Sequence, residues 1–208
     1  MAIVTLESLR ASVRKYAGSP NEGQIATTEI DAAVNHFYRE VLPSLVSLEE
    51  LKGFYSFSVN DQIDQTLPDS VIRVEPPCTI DNVISGFFYS PTLFWLRHAG
   101  TSASTPEDVL LVGRTLYFGP MADANGPYAV QMVSVNKPTT LEAPADTLIA
   151  DRVKDSVELG AAMSILLKRE DDEAVALLNQ HLVSYMGALQ ALGVQVDPQT
   201  AKASLQKE

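Results

Sequence analysis

The chemistry open to this chain rests on a few scattered side chains. His36 and Glu40 stand four apart in a stretch of helical periodicity, which puts both on one face at the spacing of two metal ligands. A metal centre needs more partners than two, so a solvated surface pair is the plainer reading. His98 follows Arg97 close to a loop and has the type of a general base. His181 falls within an apolar stripe, where a hydrogen-bonded boundary residue is expected. Carboxylates come in twos at Asp61 and Asp64, Glu107 and Asp108, and Asp171 and Asp172. General acid–base work requires two carboxyls in one cleft with pKa values driven apart, and neighbours in turns do not supply that. Helix capping already explains the third pair. Cys78, between Pro77 and Thr79, has no cation beside it in sequence and reads as a small buried hydrophobe. Trp95, within Leu93-Phe94-Trp95-Leu96, reads as core, with an interface anchor as the alternative.

The glycines are scattered at turns and form neither a Walker loop nor a dinucleotide fingerprint, and no Gly-x-Ser-x-Gly elbow is present. These residues predict a protein that is not an enzyme, with no catalytic, cofactor-binding or metal-ligating side chains. A hydrolase would need Asp61, Asp64, Glu107 and Asp108 to converge.

The elements that position these groups are clearest near the end of the chain. Residues 151–192 read as two long helices meeting at the acidic corner Glu170-Asp171-Asp172, with Asp171 or Asp172 as N-cap of the second. In that second helix Ala174, Leu177, Leu178, His181, Leu182, Tyr185, Leu189 and Leu192 recur at three- and four-residue steps, one apolar stripe. The first differs: residues 157–167 carry one charge, Glu158, and apolar side chains point in nearly every direction. A helix apolar on all sides must be covered on all sides. Val157, Gly160, Ala161, Ala162, Met163 and Leu166 are therefore candidate packing residues, covered by the rest of the chain or by a neighbouring copy.

Upstream, Leu6, Leu9 and Val13 predict a short helix capped by Thr5, and Ile30, Val34, Phe37 and Val41 a second that Pro43 ends or kinks. Further helical turns are expected over residues 44–52, with Gly53 at C′. Tyr55, Phe57 and Val59 then alternate with Ser56, Ser58 and Asn60, a half-buried strand. Short strands follow at residues 71–75 and 78–80, with one or two more within residues 84–94. Residues 109–112 and 115–118 form a hairpin about Gly113-Arg114, where glycine in first place suits a type II′ turn. Residues 128–136 close the β region. The fold class predicted is α+β: a helical bundle of N- and C-terminal helices with an inserted antiparallel β-rich region. The expected parts are residues 1–52 and 146–193 as one helical domain, 53–145 as the insert, and 194–208 as an extended tail with few large apolar residues.

Across 208 residues, 46% hydrophobic and 20% charged content is ordinary for a globular protein. The net charge of −11 argues against an electrostatic grip on nucleic acid, and equally suits a surface that must refuse DNA. One cysteine allows no intrachain disulfide and no cysteine-based zinc site. The first residues lack the pattern of a signal peptide, and no run reaches the roughly 20 apolar residues of a membrane helix. A soluble protein made in a reducing cytosol is expected.

Certain strings follow one another in order along this path: Glu40-Val41-Leu42-Pro43 closing a helix, Gly53-Phe54-Tyr55-Ser56-Phe57 opening a strand, and Leu67-Pro68-Asp69 leading into another. After them come the hairpin from Val112-Gly113-Arg114 to Phe118-Gly119-Pro120, then Pro127-Tyr128-x-Val130, then Glu158-Leu159-Gly160-Ala161. Over residues 5–192 the chain thereby resembles the head-to-tail adaptor proteins (connector or neck proteins) of tailed bacteriophages. The resemblance implies a ring, commonly of twelve copies, beneath the portal vertex of the virion, which extends the DNA channel and presents a platform to a tail or nozzle protein. DNA would pass without specific binding, and no membrane or cofactor is involved. C-terminal segments in that family dock on portal subunits, which makes Val194, Val196, Pro198 and Leu205 the candidate portal-docking residues. Loops 101–108 and 123–127 would face the tail or neighbouring subunits. The subunit would be made in the host cytoplasm and reside in the neck between capsid and tail. The alternative is a stand-alone protein-interaction or ligand-binding module without catalysis.

Overall fold

The computed structural model describes residues 3–18 and 25–191, and residues 195–196 in backbone only. In chain order the elements are α1 (Leu6–Tyr16), α2 (Thr27–His36), a π turn (Phe37–Val41), α3 (Leu42–Leu45), β1 (Val46–Ser47), a 3₁₀ turn (Glu49–Leu51), β2 (Lys52–Val59), β3 (Asp64–Thr66), β4 (Val71–Ile80) and β5 (Val83–Phe88). There follow α4 (Pro91–His98), β6 (Asp108–Val112), β7 (Thr115–Gly119), β8 (Tyr128–Asn136), α5 (Lys154–Lys168), α6 (Asp172–Ala191) and β9 (Gln195–Val196). They fall into two compact units, residues 1–51 with 137–208, and residues 52–136.

In the first unit, α1 begins with a capping box: Ser8 N–H donates to Thr5 Oγ1 and Thr5 N–H to Ser8 Oγ. Leu6, Leu9 and Val13 from α1 and Ile30, Ala33 and Val34 from α2 are buried stripes at helical spacing. Burial of each large side chain contributes about 1.5–3 kcal/mol. Where Pro43 is expected to end or kink the helix, a π turn precedes it and the helix ends two residues beyond it, at Leu45. Proline has no N–H and its ring crowds the carbonyl four residues back. The chain absorbs this with the π turn, where Leu42 N–H reaches Phe37 O, and then runs helical to Leu45. Gly53, expected to end a helix, lies inside strand β2.

The α2–π segment also clamps the returning chain. Asn35 donates to Leu141 O and accepts from Leu141 N–H, Tyr38 Oη accepts from Ile149 N–H at 2.8 Å, and Arg39 donates to Pro138 O. Lys137 meets both oxygens of Glu40. Helix α5 packs against α1, α2, the π turn and α6. The cover demanded by its all-round apolar surface comes from this chain, so α5 carries no argument for a neighbouring copy. Val157, Gly160, Ala161, Ala162, Met163 and Leu166 are all buried there, and Gly160 lies against the Phe37 ring, where a Cβ would overlap it.

The second unit is a seven-stranded sheet in the order β2-β8-β4-β5-β6-β7-β3. Its end strands β2 and β3 are joined by only four residues, 60–63. Laid flat, six gaps of about 4.8 Å would hold them roughly 29 Å apart, beyond the roughly 18 Å reach of that link. The sheet therefore has to curl. Its concave side buries Val59, Cys78, Val109, Phe118, Val130 and Met132 in a core of its own. The two-residue turn at Gly113-Arg114 has Gly113 at φ +60, as type II′ geometry requires.

These findings correct the predicted fold class. The molecule is mixed α/β, with a curled sheet and a strand-built core, rather than a helical bundle with an antiparallel β-rich insert. The sheet is not wholly antiparallel either, because β5 and β6 pair in parallel, Gly86 to Asp108, Phe87 to Val109 and Phe88 to Leu110. Parallel neighbours need a crossover, and α4 provides it where strand was expected. Pro91 has the look of a strand breaker, but at the first helical position it costs no hydrogen bond and its fixed φ suits a helix.

Candidate functional site

The site is built around α4. Its residues Phe94 and His98 lie one turn apart and face inward, with ring centroids 4.9 Å apart. His98 Nε2 lies 2.9 Å from Asp108 Oδ2, and Arg97 Nε lies 2.8 Å from the same oxygen. Asp108 opens β6 and is 2% exposed, and the His98 side chain is nearly as buried. Two glycines make the room: a Cβ at Gly86 would overlap the Asp108 carboxylate, and one at Gly119 would overlap the His98 ring. Arg97 completes charge balance from the surface, with its guanidinium 5.8 Å from the Phe88 ring centroid. Thr101 N–H and Oγ1 both donate to His98 O and close the end of the helix.

A carboxylate holding an imidazole is half of a general-base constellation. The other half would be a nucleophile at Nδ1. That nitrogen is buried without a hydrogen-bond partner among the described residues. The trio works instead as a brace that fixes α4 across β6. Fixed in this way, α4 turns its other side outward: Leu93 is 61% exposed, Leu96 70% and Trp95 42%. Trp95 therefore belongs to the surface, not the core expected for it, and its ring is steadied edge-on by Tyr117 at 5.9 Å. Tyr89, just before the helix, is also exposed and packs on Phe87. Braced and apolar, this surface is suited to burial against another molecule.

The other candidates do not converge. His36 is exposed at the end of α2, while Glu40 is engaged by Lys137. Asp61 and Asp64 are exposed, and so is Glu107, whereas its neighbour Asp108 is buried. Among the described residues no group of three His, Cys, Asp or Glu side chains could hold a metal. Asp171 accepts from Ala174 N–H and caps α6. His181 is exposed rather than at a boundary, and Leu177 is exposed too, because the stripe that packs on α5 runs through Leu178, Leu182, Met186 and Leu189. Cys78 is fully buried, which pushes its thiol up. Val194, Pro198 and Leu205 lie outside the described residues. Val196 is described in backbone only, and there it pairs with Val46 of this chain.

The first unit holds a second buried carboxylate, which the sequence showed only as a lone charge. Glu158 is 2% exposed, one of its oxygens lacks a hydrogen-bond partner, and Lys154 Nζ stands 3.6 Å away. Burial pushes this carboxyl above the usual range, offset in part by the Ser12 hydroxyl and Lys154.

In comparison with known proteins, the chain matches no family model and no curated relative. No helix among the described residues is long and apolar enough to cross a membrane.

Proposed function

We propose that this chain is a structural subunit of a tailed-phage neck, a ring-forming head-to-tail adaptor that joins portal to tail around the DNA channel. The observation that carries this reading is the braced apolar surface of α4, with Leu93, Trp95 and Leu96 exposed on a helix pinned by Asp108. Side chains of this size left in water favour association. The order of strings from Glu40-Val41-Leu42-Pro43 to Glu158-Leu159-Gly160-Ala161 supports the family. The net charge of −11 supports a conduit from which DNA phosphates are repelled. In this reading the partners are further copies in a twelve-fold ring, the portal protein, and a tail or nozzle protein. The work is assembly, not catalysis. Cryo-EM of the chain mixed with portal protein is expected to show rings seated on the portal; particles of bare portal would reject the role.

One feature favours the alternative, a stand-alone binding module. The convex side of the sheet has a hollow of about 390 Å³ whose polar lining, Ser56, Ser58, Thr79, Asn82 and Gln131, is uncharged. A soluble monomer that bound a ligand there and ignored portal protein would favour the module.

A further inference from the structure

We propose that the hollow on the convex side of the sheet is a binding site for a neutral oligosaccharide, a short chain of pyranose rings. Its floor is Ala129, whose small side chain leaves a gap on β8 between Ser58 of β2 and the turn Asp81-Asn82. That turn is locked in place: Asp81 N–H donates to Ala129 O at 2.8 Å, and Asp81 Oδ1 accepts from Ala129 N–H at 2.7 Å. One register row crosses the hollow, from Ser56 on β2 through Gln131 on β8 and Thr79 on β4, and ends at Ile84 on β5. Gln131 Nε2 donates to Ser56 Oγ at 3.2 Å, which holds that amide and leaves its oxygen to accept. Among the described residues no side-chain hydrogen bond engages Ser58 or Asn82. The hollow therefore offers donors and acceptors together, at fixed places.

Four features select the ligand. No Lys, Arg, Asp or Glu lines the hollow, although 20% of the chain is charged. A carboxylate, a phosphate or an amine would lose hydration there with no opposite charge in return. A wholly apolar ligand would leave the hydroxyls and amides without partners. A peptide strand pairs through main-chain groups, and those of β8 are already bonded to β2 and β4 on either side. What remains is a neutral molecule that donates and accepts around its rim. The lips of the hollow supply the fourth feature. Phe54 shares the exposed face of β2 with Ser56 and Ser58 and is 73% exposed, and Ile84 at the end of the row is 78% exposed. They are the two most exposed large apolar side chains among the described residues. A pyranose ring has hydroxyls at its edge and C–H groups on its flat faces, and those C–H groups settle on the negative face of an aromatic ring. β2 and β5 stand three strand spacings apart, about 14 Å, so both lips are reached by two or three linked rings and not by one. The inference gives the module reading a ligand class. Because no residue of α4 lines the hollow, it leaves the adaptor reading as it stands.

The test is isothermal titration calorimetry of the full-length chain with maltotriose, cellotriose and triacetylchitotriose, beside glucose and the anionic trigalacturonate. At least one neutral trisaccharide is expected to bind with a Kd of about 1 mM or tighter, and glucose and trigalacturonate each at least tenfold more weakly. The variant Asn82→Gly/Gln131→Ala removes both amides from exposed positions, and glycine accepts the φ of +66 at residue 82. It should keep its circular dichroism spectrum and lose at least tenfold in affinity, as should Phe54→Ala. Amide NMR spectra supply a second readout, with shifts on adding the trisaccharide expected at residues 56–58, 79–82 and 129–131. Failure of all three neutral trisaccharides to bind, equal binding of glucose or trigalacturonate, or binding that ignores the variants would overturn the proposal. Portal binding is measured separately, so a chain that takes portal and no sugar rejects this inference alone.

Discussion

Among the described residues each unit buries one carboxylate, and the two are held in different ways. Asp108 in the curled sheet has a guanidinium and an imidazole on the same oxygen, and glycines at 86 and 119 leave the room. Glu158 in the helical unit has a lysine at 3.6 Å and an oxygen without a hydrogen bond. Burying a charge is costly unless partners restore what water gave it. The sheet unit meets that cost with a geometry that also orients α4. The helical unit meets it incompletely, and its carboxyl retains a proton more readily. The first arrangement builds a surface; the second only tolerates a polar atom in a core.

Four substitutions break or sharpen this contrast. Trp95, the one tryptophan, lies in the sheet unit, so its fluorescence follows that unit while far-UV circular dichroism is weighted to the helices. Asp108→Ala strands a buried histidine and an arginine, and is expected to cost about 3 kcal/mol, the low end for a broken buried pair because Arg97 is half exposed. The loss should be seen first in the Trp95 transition under urea. Gly160→Ala drives a methyl into the Phe37 ring and is expected to cost about 2 kcal/mol. Here the circular dichroism transition should move and the Trp95 transition should not. Asp171→Ala removes the α6 cap for about 1 kcal/mol. Glu158→Gln gives a slope rather than a step. Because the folded state holds this proton to higher pH than the unfolded chain, its stabilising contribution is complete below the ordinary glutamate range. It is lost as pH rises through the raised value. Unfolding measured against pH should show that decline in the parent and a flatter profile in Glu158→Gln.

Much of this was legible in local pattern. The Thr5 cap, the Gly113-Arg114 turn, strand β8 and the hairpin of α5 and α6 follow from periodicity and turn chemistry, which act within a few residues. The misses needed partners far along the chain. Nothing within residues 91–98 says that Phe94 will find a pocket and Trp95 will not. Nor does local pattern reveal that β5 and β6 run in parallel, since pairing direction belongs to two strands at once. Proline at 91 misleads for a related reason: it looks like a strand breaker, yet it starts a helix, whereas the end or kink expected at Pro43 is met by a π turn before it and a helix end at Leu45. The dyad of His98 and Asp108 left a faint signal, a histidine and a carboxylate ten residues apart. Glycines at 86 and 119 gain their meaning only when the sheet brings them beneath those two side chains.

The most direct measurement is mass photometry of the chain with a cognate portal protein, run beside Leu93→Glu/Leu96→Glu. Both leucines are exposed, so the variant should keep its fold. An adaptor that docks through α4 predicts a discrete ring-sized mass added to the portal by the parent chain and none added by the variant. Equal addition by both chains would show that the α4 surface is not what binds, and addition by neither would contradict the adaptor role itself.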